Sequence, residues 1–199
     1  MATTTKRISQ RITGKGQGWV FTPKDFLDYG SRSSVDQALS RTARKGKIRR
    51  LTRGIYEYPR VSSSFGVVPP DMKKVAEAVS RNSKIKLQVS EAAAANALGL
   101  STQLPTRRIY LTDGSSRTVK VGSKTITFRR ATPRRLNGAG KVSGSVFQAL
   151  NYFGPDGVDN DLLNKLSRSL SRNDKKVLSQ DVKYAPDWMR PIVSKIVDR

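Results

Sequence analysis

The sequence predicts an α+β protein, with a small helical domain that carries a β-hairpin placed before a mixed α/β domain that ends in helices. Apolar residues recur at helical spacing in three segments before residue 46, and a short hairpin pattern follows them. The run VSSSFGVVPP at 61–70 then interrupts every periodicity. Beyond it, strand and helix patterns alternate until helical stripes return. We therefore assign residues 1–60 to the first domain, 61–70 to a linker and 71–199 to the second domain.

Three short helices are predicted in the first domain. The first covers about Thr3 to Ile12. Thr22 is a suitable N-cap and Pro23 a suitable first residue for the second helix, which Gly30 ends. The third begins after Ser33 or Ser34 and continues to Lys45, and its apolar stripe consists of Val35, Ala38, Leu39 and Ala43.

A two-stranded ribbon follows these helices. The predicted strands, separated by a turn at Thr52-Arg53-Gly54, are Lys47–Leu51 and Ile55–Tyr58. Three helices followed by a ribbon is the order of a winged helix-turn-helix, in which the last helix enters the DNA major groove and the wing touches the backbone or minor groove. The first domain is therefore predicted to be a winged helix-turn-helix.

The second domain is predicted to combine a small sheet with helices. Strand patterns occupy 84–89, 108–112, 117–121 and 124–128, with the last two joined at Gly122-Ser123. Helical patterns occupy 71–81, 91–98, 146–153, 162–170 and 186–197. We expect Pro191 to kink the last of these helices.

The charge of the chain indicates a polyanionic partner. Lys and Arg number 38 against 15 Asp and Glu, a formal net charge of +23. Residues 1–60 carry 14 Lys and Arg against 4 Asp and Glu, and residues 107–141 carry 10 against Asp113 alone. An excess of this size favours nucleic acid or an anionic surface, and it also maintains solubility.

Composition argues against several classes of site. The chain has no Cys and no His, which removes disulfides, thiolate chemistry and the commonest general base and metal ligand. No apolar run is long enough to predict a membrane span, and the N-terminus lacks the apolar core of a secretion signal. We expect a cytoplasmic protein that has no cofactor and no metal.

The third helix and the ribbon carry the candidate DNA-binding residues. Burial of the apolar stripe leaves a polar face on the helix, and the ribbon adds arginines beside it. The candidates are Ser33, Ser34, Gln37, Arg41, Arg44, Lys45, Arg49, Arg50 and Arg53. Gln37 suits adenine, Arg41 or Arg44 suits guanine, and any of the arginines can instead hold a phosphate. A solvated basic face is the alternative, but such faces usually mix signs, and Asp36 is the lone acid between Ser31 and Arg53.

A second basic cluster lies in the second domain. Its arginines are Arg107, Arg108, Arg129, Arg130, Arg134 and Arg135. They are consistent with a longer DNA footprint, with an acidic protein partner, with RNA, or with an exposed sheet face kept soluble by its charge.

Catalytic patterns are weak. The glycine-rich stretch 14–18 lacks the Lys-Ser/Thr ending of a P-loop. Asp156, Asp159 and Asp161 lack the later glutamate of an EF-hand, and Asp159 is better placed as the N-cap of the leucine-rich helix. We expect no enzymatic activity.

One family resemblance covers most of the first 130 residues. The helix start Phe21-Thr22-Pro23 and the run G-x-I-x-R-L-x-R-G-x-Y-x-x-P from Gly46 to Pro59 resemble the winged helix of AbiEi-type antitoxins of type IV toxin–antitoxin systems. The stretch from Ser90 to Gly114 looks like the start of that family's second domain. The resemblance implies an antitoxin that binds operator repeats as two or more copies and represses its own operon. It also implies that the second domain counters a nucleotidyltransferase-like toxin.

Three other functions are alternatives for the same sequence features. A stand-alone DNA-binding regulator would carry the same winged helix without any toxin. An RNA-binding or ribosome-associated basic protein would account for the overall charge. A carboxylate-only nuclease is the third and weakest option.

Overall fold

The chain is an α+β protein, and a computed structural model describes its residues 3–64 and 66–198. Its residues form two compact units. The first unit comprises Met1–Lys84 and Val119–Lys124, and the second comprises Ile85–Thr118 and Thr125–Arg199. No helix in the described part of the chain has the length and apolar character needed to cross a membrane.

The first unit has the element order of a winged helix. Its elements are α1 (Thr4–Lys15), β1 (Val20–Phe21), a 3₁₀ helix (Pro23–Tyr29), α2 (Arg32–Arg44), β2 (Arg49–Thr52), β3 (Ile55–Glu57), β4 (Val61–Ser62), β5 (Gly66–Val67) and α3 (Met72–Ser83). One antiparallel sheet has the strand order β1-β3-β2, so β2 lies at its edge. The strands β4 and β5 pair separately.

The helical stripes predicted for the first unit form its core. The buried residues of this core are Ile8, Ile12, Phe21, Phe26, Val35, Ala38, Leu39, Ile48 and Tyr56. Trp19 packs against this core, and its ring centroid lies 4.6 Å from that of Phe21. The two faces of α2 are fixed by this packing, because its apolar stripe has no other place to be buried.

Two predicted helix starts are corrected or refined by the capping geometry. The second helix is a 3₁₀ helix, in which the Asp25 carboxylate accepts from the Thr22 backbone N–H at 2.7 Å. The N-cap of α2 is Ser31, whose Oγ accepts from the Ser34 backbone N–H at 3.2 Å. The prediction that this helix begins after Ser33 or Ser34 is therefore wrong by two or three residues.

The boundary between the compact units differs from the predicted 61–70 linker. Those residues contain the β4–β5 hairpin, and α3 after them packs against β1 and β3. The Arg81 guanidinium donates to the Val20 carbonyl oxygen at 3.0 Å. Because α3 covers the sheet, the first unit continues through Lys84, and the helix predicted to open the second domain belongs to the first unit.

The second unit combines a sheet with a helical C-terminal part. The elements after residue 84 are β6 (Gln88–Val89), α4 (Glu91–Ala97), β7 (Arg108–Thr112), β8 (Arg117–Val121), β9 (Lys124–Arg130), a 3₁₀ helix (Pro133–Leu136), α5 (Val142–Phe153), α6 (Asn160–Ser169), α7 (Arg172–Asp181), 3₁₀ turns at Val182–Tyr184 and Asp187–Met189, and α8 (Arg190–Asp198). Of these residues, Val119–Lys124, in β8 and at the start of β9, belong to the first unit. The sheet order is β6-β7-β9-β8, with β7 and β9 parallel.

The C-terminal helices enclose a core of their own. Its buried residues include Val146, Leu150, Leu163, Leu166, Leu178, Met189, Val193 and Ile196, and Trp188 packs against them. Asp159 caps α6 by accepting from the Leu162 backbone N–H at 2.8 Å, which confirms the prediction for this residue. The helix predicted over 186–197 is a 3₁₀ turn (Asp187–Met189) followed by α8, and Pro191 lies in the first turn of α8, where proline is tolerated.

A buried carboxylate ties α5 to α7. Asp181 is 4% exposed, and it accepts from Ser143 Oγ at 2.5 Å and from Lys141 Nζ at 3.0 Å. Burial disfavours its charge, but the hydrogen bonds from Ser143 and Lys141 outweigh this, so the pKa of Asp181 lies below its ordinary value. The helix α7 that carries Asp181 was not predicted from the sequence.

Candidate nucleic-acid interface

The exposed face of α2 is polar and cationic. Its buried residues are Val35, Ala38, Leu39 and Thr42. Residues spaced by three and four positions lie on one face of a helix. The exposed residues with this spacing are Ser33, Gln37, Ser40, Arg41 and Arg44. Ser40 was not among the predicted site residues, although its position seven residues after Ser33 places it in the middle of this face.

The flanks of this face contain the one acid of the helix. The Asp36 carboxylate pairs with Arg32 at 2.9 Å, so this charge is balanced at the side of the helix. Ser34 lies in the first turn, where its backbone N–H is satisfied by Ser31 and its Oγ lies 3.0 Å from Ser31 Oγ. Ser34 is therefore part of the helix cap, and Ser33 remains exposed on the polar face of α2.

Arg50 of the ribbon faces the same side as α2. Arg50 is opposite Tyr56 in the β2–β3 register, and opposed residues share a face of the sheet. Tyr56 is buried in the core beneath α2. Ser40, Arg44 and Arg50 line one open depression of about 500 Å³ together with Tyr56. The helix face and the ribbon thus present guanidinium groups to a common space.

Arg49 has a different environment from the one predicted for it. It is opposite Glu57, whose side chain is 1% exposed, and its Nε donates to Glu57 Oε2 at 3.0 Å. Its Nη2 also donates to the Val68 carbonyl oxygen at 3.0 Å. A buried carboxylate requires such a partner, because an unpaired buried charge is strongly unfavourable. The predicted phosphate contact of Arg49 is therefore corrected to an internal ion pair.

The remaining predicted cations, Arg53 and Lys45, are exposed, and so is Lys47, which was not predicted. Arg53 lies at the tip of the ribbon, in the turn that Gly54 makes at φ 72°, and it is exposed. Lys45 and Lys47 flank Gly46 after α2, and both are exposed. In the part of the chain that the structure describes, no carboxylate forms an ion pair with Arg41, Arg44, Lys45, Lys47, Arg50 or Arg53.

Further cations of the first unit stabilise its helical layer. The guanidinium carbons of Arg7 and Arg11 lie 4.2 Å and 4.0 Å from the ring centroid of Tyr29. Arg11 also pairs with Asp28 at 2.6 Å, and the hydrogen bond from this guanidinium holds the pKa of the Asp28 carboxyl below its ordinary value. The Arg11 guanidinium is therefore engaged in contacts inside the first unit.

The second predicted cluster is not one patch. In the parallel register, Arg108 lies opposite Ile126 and Arg130 opposite Thr112. Arg107 and Arg108 therefore lie at one end of the β7–β9 pair, while Arg129 and Arg130 lie at the other, about 13 Å away at the rise of a strand. Arg134 and Arg135 lie on the 3₁₀ helix after β9, and Arg135 pairs with Glu91.

Comparison with known proteins identifies a family and a distantly similar structure. The sequence model of a protein family, described as a family of unknown function (DUF6088), matches residues 7–178. No curated protein matches the chain. The crystal structure of RV2827C protein from Mycobacterium tuberculosis is similar at 14% identity and a TM-score of 0.43, over 96% of this chain and 75% of that chain.

Proposed function

Since the chain belongs to the DUF6088 family, whose function is unknown, we propose a function from its own geometry: it binds duplex DNA through the winged helix of its first unit. The helix α2 enters the major groove, and the ribbon β2–β3 lies along the adjacent backbone. Gel-shift titration of the full chain tests this proposal, as described below.

The depression that Arg44 of α2 and Arg50 of the ribbon both line is the observation that supports this proposal. A helix face with one glutamine, two arginines and two serines matches the donors and acceptors at the base edges of the major groove. Gln37 pairs with adenine, and Arg41 and Arg44 pair with guanine. Arg50, Arg53 and Lys47 reach phosphates on either side, because they are exposed and have no acidic partner among the described residues.

The regulatory role follows from the resemblance to AbiEi-type antitoxins. We propose that the chain binds operator repeats as two or more copies and represses its own operon. In the same proposal it acts as an antitoxin, and its second unit counters a nucleotidyltransferase-like toxin. Co-expression with the adjacent open reading frame tests the antitoxin role when growth rescue and physical co-purification are scored separately.

The DNA-binding test uses the duplex upstream of the gene and a shuffled duplex of equal composition. We expect Arg41→Ala and Arg44→Ala to weaken binding to the upstream duplex about tenfold and to reduce the preference over the shuffled one. Arg168→Ala is the control, because it removes the same charge from an exposed position of α6. Equal affinity of all three variants and the wild type would contradict the proposal, and stronger binding to structured RNA would favour the RNA-binding alternative.

A further inference from the structure

The second unit contains a depression of about 300 Å³ whose lining is rich in polar side chains. It lies among the start of α4, the Pro133–Leu136 3₁₀ helix, α5 and the segment 184–186. Small-molecule sites in proteins begin at about this volume. Its polar lining includes Arg134, Asn137, Gln148, Asn151 and Tyr184.

Gln148 supplies a buried acceptor that has no donor. Its side chain is 2% exposed, and its Nε2 donates to the Arg135 carbonyl oxygen at 3.0 Å. Its Oε1 accepts no hydrogen bond from any described residue. Buried amide oxygens are normally paired, so this position calls for an N–H or O–H group from a molecule outside the chain.

Of the two arginines that line the depression, one is balanced by an acid and the other is not paired with any described acid. Arg135 pairs with Glu91, which balances both of these side chains. Arg134 is exposed on the same 3₁₀ helix, and no described carboxylate forms an ion pair with it. A guanidinium in this state is suited to two parallel hydrogen bonds with a phosphate.

Tyr184 adds an exposed aromatic surface. Its side chain lies in a segment that Asn137 holds in place, since Asn137 Nδ2 donates to the Tyr184 carbonyl oxygen at 3.2 Å. Tyr184 is 48% exposed, so part of its ring is accessible to a ligand. Exposed aromatic rings beside cations are the usual platform for stacking a base.

We propose that this depression binds a nucleotide, with the phosphate on Arg134, the base against Tyr184 and the base edge toward the amides of Gln148 and Asn151. A nucleotide combines an anion for Arg134, a flat ring for Tyr184 and an N–H donor for Gln148. The same chemistry is offered by a free mononucleotide and by a terminal nucleotide of a single strand. This inference concerns the second unit and goes beyond the proposed binding of duplex DNA.

Isothermal titration calorimetry of the full chain at about 150 mM salt tests this site, at an ionic strength that screens diffuse attraction. The probes are the four ribonucleoside monophosphates, inorganic phosphate, and a short single-stranded RNA with and without a 5′-phosphate. We expect saturable binding of at least one monophosphate. Saturation by the 5′-phosphorylated strand alone would identify a strand end as the source, whereas no saturation by any nucleotide probe would overturn the proposal.

Two variants separate the proposed roles of the side chains. Arg134→Ala should weaken both nucleotides and inorganic phosphate about tenfold. Tyr184→Ala should weaken nucleotides about tenfold and leave inorganic phosphate unchanged, because only the base stacks. Arg168→Ala is the control of equal charge and should bind like the wild type. Equal losses in Arg134→Ala and Arg168→Ala would show diffuse charge attraction and reject the site.

The proposed binding of duplex DNA and the proposed nucleotide site can be contradicted independently. Arg41→Ala lies in the first unit and should bind nucleotides like the wild type, whatever it does to duplex DNA. Weaker nucleotide binding by Arg41→Ala would place the nucleotide on the winged helix and contradict the depression as its site.

Discussion

At the scale of single residues, two neighbouring arginines of the ribbon have opposite roles. Arg49 and Arg50 are adjacent, so their side chains lie on opposite faces of the strand. Both residues line the depression beside α2, but Arg49 is paired with the buried Glu57, whereas no described carboxylate forms an ion pair with Arg50. Strand alternation predicts that the two differ. It does not predict which one meets a buried acid, because the burial of Glu57 depends on the packing of the whole unit.

Exchanging each arginine for alanine should separate stability from binding. Arg49→Ala leaves a buried carboxylate without its partner, and we expect a loss of about 3 kcal/mol in the free energy of unfolding. Arg50→Ala should change that free energy by less than about 0.5 kcal/mol and weaken DNA binding instead. Urea unfolding followed by circular dichroism, with gel shifts on the same samples, measures both. Near-equal stabilities of the two variants would contradict the assignment.

At the scale of elements, local signals predicted the helices and strands better than their boundaries and partners. The apolar stripe of α2 is set by residues close in sequence, so its buried face can be predicted from the spacing of Val35, Ala38 and Leu39. The capping box of Ser171 and Asp174 is a local signal for the start of α7, although the apolar pattern around it does not indicate a helix. The place of α3 was not legible, because its packing on β1 joins residues about fifty positions apart.

The cap of α2 gives an element-scale prediction. Ser31→Ala removes the side-chain oxygen that accepts from the Ser34 backbone N–H, and we expect a loss of about 1 kcal/mol in the free energy of unfolding. Ser33→Ala, two residues later in the exposed first turn, is the matched control and should leave stability nearly unchanged. Urea titrations compare them, and a larger loss in Ser33→Ala would place the cap where the sequence first suggested.

At the scale of the whole molecule, the net charge of +23 must be distinguished from the few charges that we propose to bind DNA. Each phosphate contact adds about 0.9 to the slope of the logarithm of affinity against the logarithm of salt concentration. The sequence predicted two basic clusters. The structure brings Arg44 and Arg50 to one depression, leaves Arg41 exposed on α2, and divides the second cluster between the ends of β7 and β9.

Salt titrations should therefore distinguish cations by position. Arg53→Ala at the ribbon tip should lower the magnitude of the salt slope by about 1, since it removes one phosphate contact. Arg168→Ala should leave the slope unchanged. A slope reduced equally in both variants would mean that binding depends on total charge alone.

The buried Asp181 predicts how the second unit responds to acid. Its pKa is lowered in the folded chain, so its contribution to stability is complete above the ordinary aspartate range and is lost as the pH falls through the folded value. Asp181→Asn should cost about 2 kcal/mol at pH 7 and much less at pH 2. Urea unfolding at both pH values gives the two differences. A cost that stays constant with pH would contradict the ion pair as its source.

The two tryptophans of the chain are divided between its compact units, Trp19 in the first and Trp188 in the second. Each packs against the apolar core of its own unit, so loss of either core exposes one indole to water. Replacing one of them by phenylalanine leaves an intrinsic fluorophore that reports on a single unit. The tryptophan emission wavelength of the two variants therefore shows whether the two units unfold in one transition or in two.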